Sequence, residues 1–258
     1  MKVVLFCGGR GTRFGSAVGE VPKPMLAIGY RPILWHLMKY YASFGHKDFV
    51  LCLGYKADVV KNYFLRYDET VSNDFVLRGG REVELLSRDI DDWTITFVDS
   101  GPRASIGERL KSAEPYVAGE EYFLANYSDG LTDLDLDRYV DHVRQHERTL
   151  AFLAVQPSLT FHVVSTDDDG GVQSVMPMSE SDIWINAGFF VCRKDVFQYL
   201  GPGEDLVGPA FTRLLEAREL MAYHYKGFWK AMDTIRDKQE LEDLWAGGHA
   251  PWAISKCS

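Results

Sequence analysis

No apolar run in the 258-residue sequence approaches the roughly 20 residues that a membrane-crossing helix requires. The opening MKVVLFCGG reaches glycine before building the longer apolar core of a signal peptide, so a cytoplasmic protein with no membrane partner is expected. Cysteine is scarce: Cys7, Cys52, Cys192 and Cys257 form no C-x-x-C pair, and three of them sit in apolar segments where a thiol acts as a small hydrophobe. Zinc and a disulfide framework are therefore not expected. A linker rich in Pro, Gly or Ser that would split the chain is missing, as are internal repeats and low-complexity tracts, and one domain over residues 1–258 is expected. Basic charge is in deficit, 28 Lys and Arg against 37 Asp and Glu, which argues against nucleic acid as the main partner.

What is present is an ordinary globular balance, 46% hydrophobic, with its charge unevenly placed. Between Met1 and Arg31 stand five basic residues (Lys2, Arg10, Arg13, Lys23, Arg31) and one acid (Glu20), a local +4 against −13 for the remainder. A small anionic ligand near the N-terminus fits that asymmetry. Strand-like runs alternate with amphipathic stretches: KVVLF, then a helix carrying Ile33, Leu34, Leu37, Met38 and Tyr41, closed by Gly45, then the strand DFVLCLGY. The alternation continues through ITFVD, a helix around Gly107–Val117, YFLANY, LDRYVDHVRQHE and LAFLAVQ. This predicts an α/β fold with a mostly parallel mixed sheet flanked by helices. After about residue 157 shorter strands around the turn DDDGG predict a small, partly antiparallel extension. Residues 70–93 have weak periodicity and many charges, which fits an excursion or an oligomer contact.

The segment FCGGRGTRFGSAVGEVPKPML follows the first strand directly. Gly8, Gly9 and Gly11 lack Cβ atoms, so backbone N–H groups can turn toward an anion, and Arg10, Arg13 and Lys23 add full positive charges. A Walker loop would need Gly-Lys-Ser/Thr, which does not occur, and a dinucleotide fingerprint starting at Gly9 would need glycine at Phe14. A tight turn with solvated charges is the bland alternative.

This loop with its following Pro-Lys-Pro, together with GERLK, YSDG, INAGFFV and GFWKAMDTIRDKQELEDLW, resembles the sugar-1-phosphate nucleotidyltransferases, and among them those that pass a cytidylyl group to glucose 1-phosphate. The resemblance runs in one order over nearly the whole chain. It implies a Rossmann-like fold, a nucleoside triphosphate (CTP favoured) and a sugar 1-phosphate as partners, Mg²⁺ as cofactor, and a homo-oligomer. It further implies Arg13 and Lys23 as catalytic cations and Gly8, Gly9, Gly11, Thr12 and Arg109 around the nucleotide. Asp129 and Asp233 are the implied metal ligands, since hard carboxylates suit Mg²⁺. Nothing in their sequence spacing brings those two together.

On the sugar-phosphate side the matching positions are His162, Met178, Asn186 and Gly188, and here the chain departs from the family. Met178 stands near the position of the usual lysine, and His162 where a glycine is usual. The expectation is an acceptor other than plain glucose 1-phosphate, or a catalytically impaired nucleotide-binding homologue. The bland readings are a helix cap for Asp129, a surface pair for Arg109 and a space-filling role for His162. Asp167–Asp169 make an acidic turn, because a calcium loop would need glycine at Val172 and glutamate at Met178.

Overall fold

The computed structural model describes residues 1–9, 21–157 and 161–254. Its first half runs β1 (Val3–Cys7), β2 (Ala27–Ile28), β3 (Arg31–Pro32), α1 (Ile33–Ser43), β4 (Asp48–Leu53), α2 (Ala57–Leu65), β5 (Phe75–Arg78), β6 (Glu82–Leu85), β7 (Thr94–Asp99), α3 (Ile106–Val117), β8 (Tyr122–Tyr127) and β9 (Gly130–Thr132). There follow α4 (Leu136–His146), β10 (Leu150–Val155), β11 (His162–Thr166), β12 (Val172–Pro177), β13 (Ile185–Asn186), β14 (Phe190–Arg193), α5 (Phe211–Glu216), β15 (Leu220–Tyr225), β16 (Trp229–Ala231) and α6 (Ile235–Ala246).

Eight strands make one sheet, and β1, β4, β7 and β8 pair in parallel, as do β10 and β15. The reversal comes from β13 and β14, which lie along one side of β10 antiparallel to it, while β14 is also antiparallel to β8. The mostly parallel mixed sheet expected from the sequence is the one observed. All five residues of β1 are buried because successive side chains face opposite sides of a doubly covered sheet. Val3, Leu5 and Cys7 join one core with Leu34, Leu37, Tyr41, Tyr139 and Leu241, and Val4 and Phe6 join the other with Leu110, Ala113, Val117 and Leu214. Helices α1, α4 and α6 thus cover one face, and α3 and α5 the other. Burying each such aliphatic side chain contributes about 1.5–3 kcal/mol. Cys7, Cys52 and Cys192 are free and buried in these cores, as their apolar contexts imply, and Cys257 lies outside the described residues.

Besides the short β2–β3 pair, two hairpins stand outside the sheet among the described residues. β11 and β12 pair antiparallel, and Asp167 turns the chain between them by accepting from the N–H groups of Asp169 and Gly171. The other hairpin, β5–β6, belongs to the excursion over residues 70–93 and is rooted by Asp89, which accepts hydrogen bonds from Lys39, Tyr67, Ser72 and Asn73. Arg31 is buried against this root, donating to Ser72, Tyr63 and the Asp68 carbonyl. Its charge therefore does not serve an anion near the N-terminus, which corrects the simple count of five cations in that segment. Lys2 likewise pairs with Asp48.

Candidate active site

The C-terminal ends of β1, β4, β7 and β8 open on one side of the sheet, where ligands gather in open α/β folds. The chain leaves β1 through Gly8, which is buried, and Gly9, which is exposed. A Cβ on Gly8 would lie 1.7 Å from Nη1 of Arg109, so any side chain there would have to displace that guanidinium from its partners. Arg109 extends from α3, whose start is fixed by a reciprocal cap between Ser105 and Glu108. Its Nη2 donates to the carbonyls of Gly8 (3.2 Å) and Gly101 (3.4 Å), and its Nη1 to the Leu53 carbonyl (3.2 Å) and Ser100 Oγ (2.9 Å). All four partners are uncharged oxygens. One cation, 3% exposed, thus ties together the loops after β1, β4 and β7. Burial works against its charge and lowers its pKa, but a guanidinium stays protonated.

Asp129 and Asp233 are brought together by a three-pair ladder. β9 and β16 pair antiparallel with Gly130 opposite Ala231, and the ladder extends through the Met232 N–H, which donates to the Asp129 carbonyl at 2.8 Å. Asp129 sits at the turn after β8, where Ser128 Oγ donates to the Phe6 carbonyl and holds that turn against β1. Asp233 precedes Thr234, the N-cap of α6, whose reciprocal cap with Asp237 fixes the helix start. Lys23 completes the group. It lies in a short helical turn between Pro22 and the buried Pro24, and its Nζ donates to Asp129 Oδ2 and Asp233 Oδ1, each at 2.5 Å. Burial would lower the Lys23 pKa, but the charges of Asp129 and Asp233 and their hydrogen bonds outweigh it and hold the ammonium above its ordinary value.

A cleft of about 640 Å³ joins these parts, lined by Gly8, Gly9, Lys23, Arg109, Ser128 and Asp129 among others. It also takes in Tyr127 and Asp205, which sequence reasoning missed. The Tyr127 hydroxyl is pushed up to about 12, first by burial and then by the charges of Asp205 and Asp129, and a hydrogen bond from Asn186 partly offsets this. Tyr127 thus links the strand that delivers Asp129 to one of the expected sugar-side residues. Gly188 lies where the strand breaks between β13 and β14: its φ is +77°, and a Cβ there would meet Asn126 Oδ1 at 2.5 Å. His162 and Met178 stand together at the root of the β11–β12 hairpin, His162 opposite Pro177 and the Met178 N–H donating to the Phe161 carbonyl. The two sequence departures are therefore neighbours in space. Gly11, Thr12 and Arg13 lie outside the described residues.

Two carboxylates meeting on one cation form an oxygen-only donor set, which suits a hard divalent ion such as Mg²⁺ that fills its remaining positions with water and phosphate oxygens. Among the described residues no group of three or more His, Cys, Asp or Glu side chains is arranged to hold a metal. Nor is any helix among them long and apolar enough to cross a membrane.

Comparison with known proteins matches residues 2–240 to the nucleotidyl transferase family model. The chain is 38% identical over 255 residues to glucose-1-phosphate cytidylyltransferase of Salmonella typhi, covering 98% of each chain. It is 34% identical over 257 residues to the probable glucose-1-phosphate cytidylyltransferase of Bacillus subtilis, covering 98% of this chain and all of that one. Among solved structures, UDP-glucose pyrophosphorylase from Acinetobacter baumannii superposes with a TM-score of 0.70 at 18% identity, covering 98% of this chain and 95% of the other. HddC from Yersinia pseudotuberculosis does so with 0.67 at 20%, covering 95% and 99%. At those identities the superpositions speak for the fold alone. With a cleft lined by Gly8, Gly9, Arg109, Lys23 and Asp129, and with relatives matched over almost its whole length, the chain belongs to the nucleotidyl transferase family.

Proposed function

We propose that the chain transfers a cytidylyl group from CTP to a sugar 1-phosphate, giving a CDP-sugar and pyrophosphate. The observation that carries this reading is the convergence of Lys23, Asp129 and Asp233 beside the Gly8–Gly9 turn, a site built for phosphates and their counter-cations. The choice of CTP and of a sugar 1-phosphate is supported by the names of the relatives matched over almost the full chain.

In the reaction a phosphate oxygen of the acceptor forms a bond to the α-phosphorus, the bond from that phosphorus to the bridging oxygen breaks, and pyrophosphate leaves with the electron pair. The nucleophile is already an anion, so no general base is required, and the protein's task is positioning and charge neutralisation. On this reading Gly8, Gly9, Gly11 and Thr12 serve the triphosphate, and Arg13 and Lys23 neutralise it. Arg109 acts on the nucleotide by holding the Gly8 turn. Asp129 and Asp233 would hold Mg²⁺, which when bound neutralises phosphate charge and polarises the α-phosphate. Asn186 and Gly188 shape the acceptor side next to Tyr127, and His162 and Met178 set which acceptor enters. The reading places the protein in the cytoplasm as a homo-oligomer. Exposed Leu77 and Val83 on one hairpin and Val164 and Val175 on the other support the assembly, and light scattering at a multiple of the chain mass is its check.

The test is pyrophosphate release with Mg²⁺ across the common nucleoside triphosphates and a panel of sugar 1-phosphates, with Asp129→Asn as the blank. Release with CTP and one sugar 1-phosphate, absent in the blank, is expected. Release with another triphosphate alone would correct the base, and CTP binding without release for any acceptor would leave a non-catalytic homologue.

A further inference from the structure

Lys23 bridges the two carboxylates proposed to hold Mg²⁺. Its ammonium is 2.5 Å from an oxygen of each aspartate, and its side chain is 14% exposed, less than either carboxylate. The two carboxylates come from elements that cannot easily separate: the β9–β16 ladder and its Met232 to Asp129 extension lock them side by side. Two anions so held need a cation between them, and the chain supplies one in Lys23.

A Mg²⁺ ion held by Asp129 and Asp233 would draw on the same carboxylate oxygens. A divalent ion and an ammonium cannot share that space, because both would need the same lone pairs and each repels the other. The backbone on either side of Lys23 is stiff, with Pro22 before it and the buried Pro24 after it, so the side chain is the part that can move. The cleft that Lys23 lines is the one bounded by Gly8, Gly9 and Arg109, where phosphates would lie.

Building on the proposed metal role of Asp129 and Asp233, we propose that Lys23 is a resident counter-cation that competes with the divalent metal. It holds the aspartate pair until a metal–nucleotide complex arrives, and is then displaced onto the incoming phosphates. Two consequences follow from this exchange. Free metal binds weakly to the empty protein, and the metal enters together with the nucleotide. The positive charge needed on the phosphates is delivered by the same event that seats the metal.

The test uses Mn²⁺ as a spectroscopic probe, titrated by electron paramagnetic resonance into nucleotide-free protein. Wild type should bind weakly, Lys23→Gln at least about tenfold more tightly, and Lys23→Arg, which keeps the charge, as weakly as wild type. Adding Asp129→Asn to Lys23→Gln should abolish the gain. In the unaltered protein, acylation of Lys23 by an amine-directed reagent, followed by mass spectrometry, should be slow without Mn²⁺ and faster at saturating Mn²⁺. Equal Mn²⁺ affinity in wild type and Lys23→Gln, still lost with Asp129→Asn, would overturn the competition and leave the metal site standing. Mn²⁺ binding unaffected by Asp129→Asn would overturn the metal reading itself. If Lys23→Gln does not fold, an acylation rate unchanged by saturating Mn²⁺ overturns the proposal on the native chain.

Discussion

The guanidinium of Arg109 fills the space that a side chain on residue 8 would need, with Nη1 only 1.7 Å from the position of a Gly8 Cβ. Gly8→Ala therefore forces Arg109 away from the carbonyls of Gly8, Leu53 and Gly101, leaving buried groups without partners. We expect a loss of about 2–4 kcal/mol in urea unfolding and a raised KM for the triphosphate. Wild-type stability in this variant would show that the clamp yields freely.

Asp129→Asn keeps the size of the side chain and a hydrogen-bonding group while removing one of the two charges that meet on Lys23. The expected result is a fall in kcat of at least about a hundredfold, with a melting temperature within a few degrees of wild type. Near-normal turnover would refute its assignment as a metal ligand.

His36 gives the fold a dependence on pH. Its ring is 2% exposed, with Nε2 against the Ile28 carbonyl at 2.9 Å and Nδ1 accepting from Trp252 Nε1 at 3.3 Å. Burial depresses its pKa from 6.5 to about 4. The unfolded chain binds the proton more readily, so this contribution is complete above about pH 6.5 and is lost as pH falls toward 4. The loss reaches about 3 kcal/mol. Urea midpoints at pH 7.5 and 4.5 should differ accordingly, and His36→Gln should flatten the difference.

On the acceptor side, Met178→Lys places a cation at the hairpin root beside Phe161 and His162. We expect a lower KM for glucose 1-phosphate, by about tenfold, with the KM for CTP unchanged. No change would mean that the site excludes this sugar for another reason, with His162 the next residue to vary.

Much of this architecture can be read locally. The Val3–Cys7 run, the α1 stripe and the stop at Gly45 are nearest-neighbour patterns, and the structure reproduces them. The Asp167 turn is equally local. What the sequence hid is what depends on distant pairing. Asp129 and Asp233 are 104 positions apart, and only the register of β9 on β16 joins them. Arg31 reads as part of a basic loop, but its partner Tyr63 comes from α2 and Ser72 from a later segment whose own periodicity is weak. Tyr127 and Asp205 look like ordinary strand and loop residues until the cleft is assembled around them.

The position of β16 in the chain has a consequence for biosynthesis. A chain that has left the ribosome only through β15 already contains the glycine turn, Lys23, Arg109 and Asp129, but not the strand that carries the second carboxylate into place. Asp129 and Lys23 then face each other as a simple pair, and the second aspartate joins them only when β16 zips onto β9. Nascent chains thus cannot assemble the complete charge cluster until β16 has emerged.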